Sequence, residues 1–480
     1  MSESKAKSLP GPWGLPILGN LLNLGSDEPH VGLMKLAKEY GNVYQIRLGS
    51  RPVVVLCGQE AIRSALVHQP VAFAGRPDLA SFQFIRKNTE ATVAFQTNDA
   101  TWKLHRKLAE SSIRFFVSGQ RKSSIESTVT QEVQELINYW TNNNNNDDNM
   151  QIDPVNVIKL SVSNVMLWCI LGKRHSLDDS RLREFVSKSD DFAVAVGSGN
   201  IADFMPWVRF VTVRTTQNLK KLLNTFRGWF IPYIEEHRRE YEQDSEKDIL
   251  DYLVTSSNKL DDADLQQLGV SREALQISTV FDLFGAGFDT TSATITWQLY
   301  YAIRHPDVIA RVQAELDEVL GRDCLPNLAA RDHLPLTQAF LLETFRHSSV
   351  VPFTIPHSTT SDTTLLGYHI PKDTVVFVNL YSVHHDPDTW HRPSDFNPDR
   401  FIDKETGLLD KTKVDAIMPF GAGRRRCIGA EMGRIQSFLY FAILIHQCNI
   451  SSLDKASLDS KPIYGLTMRP PPFKICVARR

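Results

Sequence analysis

The stretch from residue 420 to residue 429 constrains this 480-residue chain more than any other. It reads Phe-Gly-Ala-Gly-Arg-Arg-Arg-Cys-Ile-Gly, and the mostly apolar run 435–445 that follows predicts a helix. A cysteine on a turn where a helix begins lies near outward-pointing N–H groups and the positive end of the helix dipole. Because that environment stabilises a thiolate, we expect a lowered pKa for Cys427 and interpret its sulfur as the axial ligand of a haem iron.

A lone cysteine is more often a small buried hydrophobe, so the neighbouring residues must favour the metal-ligand interpretation. Gly423 permits a tight turn, and Gly429 permits close approach of the backbone to a flat ligand. Arg425 can reach an anionic carboxylate on that ligand. Phe420 can pack beside the sulfur and exclude water. The complete pattern F-x-x-G-x-R-x-C-x-G therefore favours haem over simple burial.

The composition excludes several other classes of protein. Hydrophobic residues make up 42% and charged residues 22%, as in soluble globular chains. A formal net charge of −2 gives no general attraction for nucleic acid, and we expect no nucleic-acid partner. The 6 cysteines are widely spaced, which favours a reducing compartment over a disulfide scaffold or a zinc site. No uninterrupted apolar run approaches the ~18 residues that span a bilayer, so any membrane anchor is expected outside this chain.

Hydrophobic periodicity predicts a mainly α-helical fold with small peripheral β-sheets. The predicted helices are 30–40, 61–67, 102–111, 124–139, 155–170, 182–194, 219–242, 249–256, 271–303, 306–320 and 336–348. The predicted strands are a hairpin at 43–48 and 52–56, then 363–368 and 374–379, with a last hairpin near Tyr464. We expect residues 1–19 to form a proline-rich hinge and residues 20–480 to form one domain.

The predicted helix 271–303 carries Phe-Gly-Ala-Gly-Phe-Asp-Thr-Thr at its middle. Gly285 and Gly287 each cost about 1 kcal/mol relative to alanine inside a helix, and Thr290 and Thr291 can bond back to carbonyls and bend it. For the glycines alone, a kinked core helix is the preferred interpretation. Asp289 beside Thr290 favours a second one, because a buried acid and a hydroxyl in an opened helix can deliver protons to oxygen on a haem iron.

Glu343 and Arg346 form Glu-x-x-Arg on the predicted helix 336–348, where a spacing of three puts both on one face. An exposed pair of this kind is common and contributes little. Apolar neighbours on the same helix favour burial instead. Arg400 is the expected third member, and we interpret the set as structural, locking the scaffold of the cysteine stretch.

Further donors are expected around the flat ligand. Trp102 and Arg106, at i and i+4, present an indole N–H and a guanidinium on one helix face, where both can meet porphyrin carboxylates. A surface amphipathic turn is an equally good interpretation of this pair alone. His357 is a third candidate donor. A basic patch able to receive an acidic electron-donating partner is predicted from Lys103, Lys107, Arg424 and Arg426.

Together these motifs resemble the cytochrome P-450 superfamily of haem-thiolate monooxygenases, over essentially the whole chain. Residues 343–349 and 351–360 are similar to family one, the vertebrate group that oxidises planar arenes and oestrogens. Residues 202–207 and 367–379 are similar to its oestradiol-4-hydroxylating branch and the fish relatives of that branch. The resemblance implies a single-domain fold with haem b between the long distal helix and the helix after the cysteine.

The resemblance also implies roles for individual residues. Cys427 would bind the iron, and Thr290 with Asp289 would handle protons. The haem propionates would be held by Trp102, Arg106, His357 and Arg425. The substrate pocket would be lined by Phe95, Phe192, Asp282, Gly285, Ala286, Val351 and Leu466. Aromatic faces and a flat glycine–alanine backbone make a slot suited to planar hydrophobic substrates.

A family member of this type would lie on the cytoplasmic face of the endoplasmic reticulum membrane. Its electrons would come from NADPH through NADPH–cytochrome P-450 reductase, with cytochrome b5 as an optional second donor. Two other functions remain open: a haem-thiolate isomerase or peroxide-using enzyme that needs no reductase, and a non-enzymatic haem-thiolate gas sensor. Asp289 and Thr290 favour the monooxygenase over the former, and the lack of a recognisable second domain counts against the latter.

Overall fold

The computed structural model of the chain describes residues 7–25, 28–89, 91–118, 121–143, 150–197, 201–208, 213–240, 246–453, 458 and 461–480. Within these ranges helices dominate and short strands lie at the periphery, which confirms the predicted fold class. The proposed division between residues 19 and 20 stays a prediction.

Most helices occupy the predicted positions and extend beyond them by a few residues. The first half contains α1 (Leu21–Leu24), α2 (Pro29–Tyr40), α3 (Gln59–Leu66), α4 (Ala80–Thr89), α5 (Ala100–Val117), α6 (Lys122–Asn143), α7 (Pro154–Leu171), α8 (Ser180–Gly197), α9 (Ile201–Phe204) and α10 (Val213–Arg239). The second half contains α11 (Ile249–Asn258), α12 (Asp262–Leu268), α13 (Arg272–Arg304), α14 (Pro306–Leu320), α15 (Pro335–Ser348), α16 (Tyr381–His384), α17 (Lys411–Ala416) and α18 (Ala430–Gln447). Short 3-10 turns lie at Pro206–Val208, Arg331–His333, Pro398–Phe401 and Gly423–Arg425.

The strands form three small sheets in the part of the chain that the structure describes. They are β1 (Val43–Leu48), β2 (Arg51–Leu56), β3 (His357–Ser358), β4 (Thr363–Leu365), β5 (Tyr368–Ile370), β6 (Val375–Val378), β7 (Cys448–Ser451) and β8 (Cys476–Arg479). The largest sheet has the order β1-β2-β6-β3, and its β1–β2 pair is the predicted hairpin. Strand β2 pairs with β6 in parallel, so this sheet joins the two ends of the chain.

Two strand predictions were wrong. The predicted strand 363–368 is a hairpin, because the chain reverses at Leu366 and Gly367, whose φ angles are 48° and 86°. Alternating side chains do not reveal such a turn when its first residue is leucine. The C-terminal hairpin near Tyr464 is a single bridge between Ile463 and Arg469. The last strand, β8, pairs with β7 instead.

Helix α13 is the central element. Ser271 caps its N-terminus by accepting a hydrogen bond from the backbone N–H of Ala274, 3.0 Å away. The helix then continues for 33 residues without interruption, so the expected opening near Asp289 is absent. It packs against α5, α7, α15 and α18, and most of its side chains are buried in the main core. This arrangement makes α13 the wall shared by the surrounding helices.

Helix α7, Pro154–Leu171, is an exception to the expectation about apolar segments. Among the described helices it alone has the length and composition to cross a membrane, with 18 residues. It is largely buried inside the protein, between α6 and α13. Its apolar character is therefore that of a core helix packed on several sides.

Candidate active site

The turn that carries Cys427 has a fixed backbone geometry. We call residues 418–429 the cysteine loop. The Cys427 N–H donates to the carbonyl oxygen of Phe420 at 2.9 Å, which closes the loop. Gly423 has a φ of 69°, and a Cβ there would lie 1.8 Å from the Leu66 carbonyl oxygen, so only glycine fits. Gly429 is less constrained: it caps α18, and a Cβ on it would lie 4.0 Å from the Cys427 sulfur.

The Cys427 side chain is exposed, yet protein surrounds it closely enough for burial to raise its pKa. The N–H of Gly429 and the charges of Arg106 and Arg434 only partly oppose that effect. The expectation of a lowered thiol pKa was therefore wrong, because burial of the sulfur outweighs the hydrogen bond from Gly429 and the two positive charges. The two observations agree if the sulfur faces a space inside the molecule. A bound metal cation there would reverse the balance and favour the thiolate.

The middle of α13 presents a flat wall. Gly285 and Ala286 are exposed, although the flanking Phe284 and Phe288 are buried. No atom lies within 4 Å of a Cβ built on Gly285, whereas one on Gly287 would lie 2.5 Å from the end of the Met166 side chain. The two glycines therefore differ: Gly287 allows α13 to pack on α7, and Gly285 lines open space. Gly285, Ala286 and the Cys427 sulfur are accessible although protein surrounds them, so we infer that this wall and the cysteine loop bound one internal space, here called the central cavity.

Two arginines lie at the cysteine loop: Arg425 belongs to it and is half-buried, and Arg76 is buried and close enough for its charge to affect Arg425. Arg425 donates to the carbonyl oxygens of Ala74 at 2.9 Å and Gln96 at 2.7 Å. Arg76, which sequence reasoning missed, donates to the carbonyls of residues 94, 355 and 356. Burial, and then the charge of neighbouring arginines, lowers the pKa of Arg76 to about 9 and that of Arg425 to about 8.

Neither arginine forms an ion pair with a carboxylate among the described residues. A buried cation without an opposite charge is costly, and two adjacent ones are more so. The arrangement is satisfied if an anionic group with two carboxylates occupies the central cavity. These three features together fit haem. The flat wall suits its planar ring, the accessible thiol suits its iron, and the two unpaired cations suit its propionates. Arg76 stands alone between Gly75 and Pro77, so only an isolated cation in an apolar stretch marks it in the sequence.

The other predicted propionate donors have different partners. Trp102 is buried, and its Nε1 donates to the Val93 carbonyl at 3.0 Å. The centroid of its ring lies 3.9 Å from the Arg425 guanidinium, so Trp102 supports that arginine, and its own contact with a propionate stays a prediction. Arg106 donates to the carbonyl of Arg426 at 2.8 Å and pairs with Glu110 at 2.7 Å. Trp102 and Arg106 therefore hold the cysteine loop and its arginine.

His357 is held as a neutral imidazole. Burial, followed by the charge of Arg76, lowers its pKa to about 3. Its Nδ1 lies 2.7 Å from the carbonyl oxygen of Phe73, which can only accept, so Nδ1 carries the proton. Nε2 is then an acceptor, and the role of His357 as a donor to a propionate stays a prediction.

The acid and alcohol of α13 point to different partners. Thr290 Oγ1 donates to the Ala286 carbonyl at 2.8 Å, as predicted for a hydroxyl that bonds back along the helix. Asp289 is buried and accepts from Thr467 Oγ1 at 2.9 Å and from Arg469 at 2.8 Å. Thr467 and Arg469 were not found from the sequence, because they lie in a loop far along the chain. The Asp289 carboxylate is therefore in an ion pair and is not bonded to the Thr290 hydroxyl.

Asp282, one of the predicted pocket residues, has defined partners in the protein. Asp282 Oδ1 accepts from Thr92 Oγ1 at 3.0 Å, and Oδ2 accepts from the Val93 N–H. Burial raises the pKa of Asp282 to about 7. Asp282 therefore fastens the segment before α5 to α13, and its contact with a substrate stays a prediction.

The other predicted pocket residues have mixed positions. Phe95 is half-buried and packs edge-to-face on Phe82, with ring centroids 5.0 Å apart. Val351 is half-buried, and Leu466 is exposed. Phe192 lies in α8, but its side chain falls outside the described residues. Gly285 and Ala286 remain the pocket residues with the clearest geometric support.

The predicted ion triad exists and is buried. Arg346 contacts Glu343 with its Nε at 2.7 Å and its Nη2 at 2.8 Å, and Arg400 Nε lies 3.0 Å from the same carboxylate. Arg346 also donates to the carbonyls of His384, Pro393 and Asp395. The triad thus ties α15 to the segment that leads into the cysteine loop. A buried pair with its remaining donors satisfied keeps one geometry, which is a structural role.

The predicted basic patch lies on one side of the molecule. Lys103 and Lys107 are exposed on α5, and Arg426 is exposed in the cysteine loop. The hydrogen bond from Arg106 to Arg426 holds α5 and the loop together. Arg424 lies over the Trp102 ring, 5.8 Å from its centroid. These cations therefore surround the outer side of the loop that carries Cys427.

Comparisons with known proteins cover nearly the whole chain. A family model described as cytochrome P450 matches residues 9–477. A cytochrome P450 1A1 from Oncorhynchus mykiss is 42% identical over 472 residues, which are 96% of this chain and 89% of that protein. A cytochrome P450 1A3 from the same fish has the same identity and coverage. A cytochrome P450 1A1 from Limanda limanda is 41% identical over 471 residues, again 96% and 89% of the two chains.

Proposed function

The chain belongs to the cytochrome P450 family, and on this premise we propose that it oxidises planar aromatic or steroid substrates with O2 and electrons from NADPH. Family membership makes it a haem-thiolate monooxygenase, with haem as the cofactor, a cysteine as iron ligand and a redox partner as electron supply. The central cavity carries the rest of the proposal, because it combines an accessible thiol with unpaired buried cations. The similarity of two segments to the oestradiol-4-hydroxylating branch stays a prediction of that branch's activity.

Four residues would hold the haem in this proposal. Cys427 would bind the iron, while Arg425 and Arg76 would pair with the propionates and lose their mutual repulsion. Trp102 would keep the Arg425 guanidinium in place by packing its ring against it. When bound, thiolate-ligated haem activates O2 for the insertion of one oxygen atom into a substrate.

The shape of the α13 wall supports flat substrates. Gly285 and Ala286 expose backbone and a methyl group, so a planar ring can approach α13 closely. Aromatic side chains nearby favour stacking and edge contacts with such a ring. Polycyclic arenes, oestrogens and similar xenobiotics have this shape, and they are the substrates that we propose.

Proton delivery is proposed to pass through Thr290. Its hydroxyl donates to the Ala286 carbonyl, which leaves the oxygen free to accept from a water at the α13 wall. Asp289 can contribute only if its ion pair with Arg469 opens or if Thr467 passes the proton on. We keep both residues as proposed members of the proton path, with Thr290 the nearer one to the cavity.

The basic patch is the proposed docking site for NADPH–cytochrome P450 reductase, with cytochrome b5 as a second partner. It surrounds the outer side of the loop that holds Cys427, so an acidic donor bound there would lie on the thiolate side of the haem. Opposite charges on the two surfaces would speed the encounter and make it sensitive to salt.

A membrane surface is the proposed location, on the cytoplasmic face of the endoplasmic reticulum. Trp13, Ile17 and Leu22 are 98%, 65% and 71% exposed near the N-terminus, and Trp207 and Ile463 are also exposed. The fold holds these three segments near one another. Ser50 in the β1–β2 turn donates to Phe204, Gly19 pairs with Leu48, and Lys461 pairs with Glu28. An apolar patch of large side chains is typical of a membrane contact.

Turnover with and without reductase tests the proposal. The haem-loaded full chain, supplied with NADPH, reductase and a planar arene, should consume NADPH and form a hydroxylated product. Omitting the reductase should abolish the product. Formation of the hydroxylated product from added hydrogen peroxide, with neither reductase nor NADPH, would instead support a peroxide-using enzyme. A rearranged product formed with no added oxidant would support an isomerase.

A further inference from the structure

His384 is the last residue of α16 and is only 1% exposed. It lies between the C-terminus of α15 and the first residue of the cysteine loop, Met418. The roles described above leave this imidazole unused. Its surroundings give it a defined chemical state and a defined set of partners.

The ring of His384 is neutral, and its tautomer follows from its contacts. Burial, and then the charge of Arg346, lowers the pKa of His384 to about 3. The Met418 backbone N–H, 3.0 Å from Nε2, can only donate, so Nε2 is the acceptor. Nδ1 therefore carries the proton and donates to Ser349 Oγ at 2.9 Å. The Ser349 hydroxyl in turn donates to the Arg346 carbonyl at 3.1 Å.

These bonds connect the buried ion triad to the cysteine loop. Arg346 Nη1 donates to the His384 backbone carbonyl at 2.8 Å, and Ser349 ends α15 with a left-handed φ of 41°. Both ends of the imidazole are thus held from the triad side and from the loop side. Past Met418, its carbonyl accepts from the Gly421 N–H at 3.0 Å, which begins the turn that Cys427 closes.

We infer that His384 is a positioning residue, which fixes the first backbone N–H of the cysteine loop and thereby the direction of the Cys427 sulfur. The inference rests on the proposed role of Cys427 as iron ligand. A freely moving Met418 would let the turn shift, and thiolate ligation would compete with a displaced or protonated sulfur. The neutral Nδ1–H tautomer is required, because a protonated ring could not accept from Met418.

His385 provides a matched control. It is the neighbouring residue, also buried, and its ring stacks on Tyr381 with centroids 3.8 Å apart. Its Nδ1 faces the Tyr381 carbonyl at 3.3 Å, and its ring lies 5.9 Å from the ring of His347 on α15. Its described contacts therefore reach α16 and α15 but not the cysteine loop. Removing the His385 ring creates a similar void without removing a bond to the cysteine loop.

The test uses the haem-loaded full chain and its His384→Ala, His384→Gln and His385→Ala variants. The Soret band of the ferrous carbon monoxide complex reports the ratio of thiolate-ligated to other haem, and thermal unfolding reports stability. We expect His384→Ala to lower that ratio by a factor of about 5 or more, since a buried N–H loses its acceptor. His384→Gln should recover part of it, because its amide oxygen can accept from Met418. His385→Ala should lose stability and keep the wild-type ratio.

Several outcomes would overturn the inference. If His384→Ala loads haem with the wild-type ratio, or if His385→Ala lowers the ratio equally, the ring has only a packing role. If His384→Ala does not fold, the glutamine variant is compared with a matched His384→Leu protein. A folded His384→Gln protein with no more thiolate-ligated haem than His384→Leu would also contradict the inference. A wild-type protein without the thiolate band would refute the proposed role of Cys427 itself, a separate failure.

Discussion

Arg76 and Arg425 have the least favourable electrostatic surroundings among the site residues. Arg76 is buried and Arg425 is half-buried, and each guanidinium is bonded to backbone carbonyls, which supply partial charge but no full negative charge. Their lowered pKa values express that cost. A dianionic cofactor would relieve it, so part of the free energy of haem binding would come from removing a penalty already present in the protein.

Replacing Arg76 by methionine should therefore weaken haem binding about tenfold or more, because a charge-assisted contact to a carboxylate is lost. Haem transfer to an acceptor protein, followed by absorbance, measures that loss. Arg86→Met is the control, since Arg86 bonds only to nearby carbonyls and to Asp78 at the surface. Equal haem retention in the two variants would show that Arg76 does not hold the haem.

Asp282 predicts a pH effect on stability. Its pKa is about 7 in the folded protein and near 3.8 when unfolded, so folding binds a proton between these values. Stability linked to Asp282 is thus fully present below about pH 4 and is lost as the pH rises through about 7. Relative to wild type, Asp282→Asn should become steadily more stable across that range. Denaturant unfolding at about pH 4.5, 6 and 7.5 measures the difference in unfolding free energy between the two proteins. A difference that does not change with pH would contradict the shifted pKa.

At the scale of elements, α13 combines two glycines with opposite roles. Gly285→Ala should gain about 1 kcal/mol of stability, the helix-propensity difference, because nothing lies near its Cβ position. It should also weaken the binding of planar substrates, since the added methyl group stands on the flat wall. Gly287→Ala should gain less stability, because Met166 must move, and should leave substrate affinity unchanged. Thermal melts and substrate-difference spectra measure both quantities, and equal effects at the two positions would refute the assignment of the wall.

Thr290 belongs to the same element. Thr290→Ala should raise the peroxide formed per NADPH, because the hydroxyl that holds the proton-donating water is gone. Thr290→Ser keeps that hydroxyl and should retain most of the coupling. Peroxide and product are measured in one assay. Unchanged coupling in the alanine variant would take Thr290 out of the proton path.

The sequence predicted long elements better than short or special ones. Helices such as α13, α14 and α15 carry enough periods of apolar spacing to be found within a few residues. The β4–β5 hairpin and α4 were missed because their signals are short, and the turn at Leu366 uses a residue that rarely adopts a positive φ. Within the site, the Cys427 loop and the Glu343 triad were found because their motifs are local. Arg76 and the partners of Asp282 and Asp289 depend on contacts between distant segments, which one sequence does not display.

At the scale of the whole molecule, the two proposed contact surfaces lie on different segments of the chain. The basic patch lies outside the cysteine loop, and the exposed apolar residues lie on the segments around Trp13, Trp207 and Ile463. A protein held at a membrane by the latter would leave the basic patch accessible to a reductase on the same membrane.

Charge reversal tests that arrangement. The double variant Lys103→Glu/Lys107→Glu should raise the KM for reductase several-fold and flatten the dependence of the rate on salt, because exposed charges attract over about 8–10 Å. Lys35→Glu/Lys38→Glu makes the same change of charge at two exposed lysines of α2 that do not belong to the basic patch. It should behave like wild type. Equal effects in both variants would indicate a response to net charge alone.

The carbon monoxide complex of the reduced, haem-loaded chain tests the assignment of Cys427 most directly. The account predicts a Soret band at the red-shifted position of thiolate-ligated haem, because Cys427 lies on the loop that borders the central cavity. Cys427→Ser should lose that band while the protein remains folded, and Cys324→Ser, at another exposed cysteine, should keep it. A wild-type band at the position of histidine ligation, or a thiolate band that persists in Cys427→Ser, would contradict the assignment.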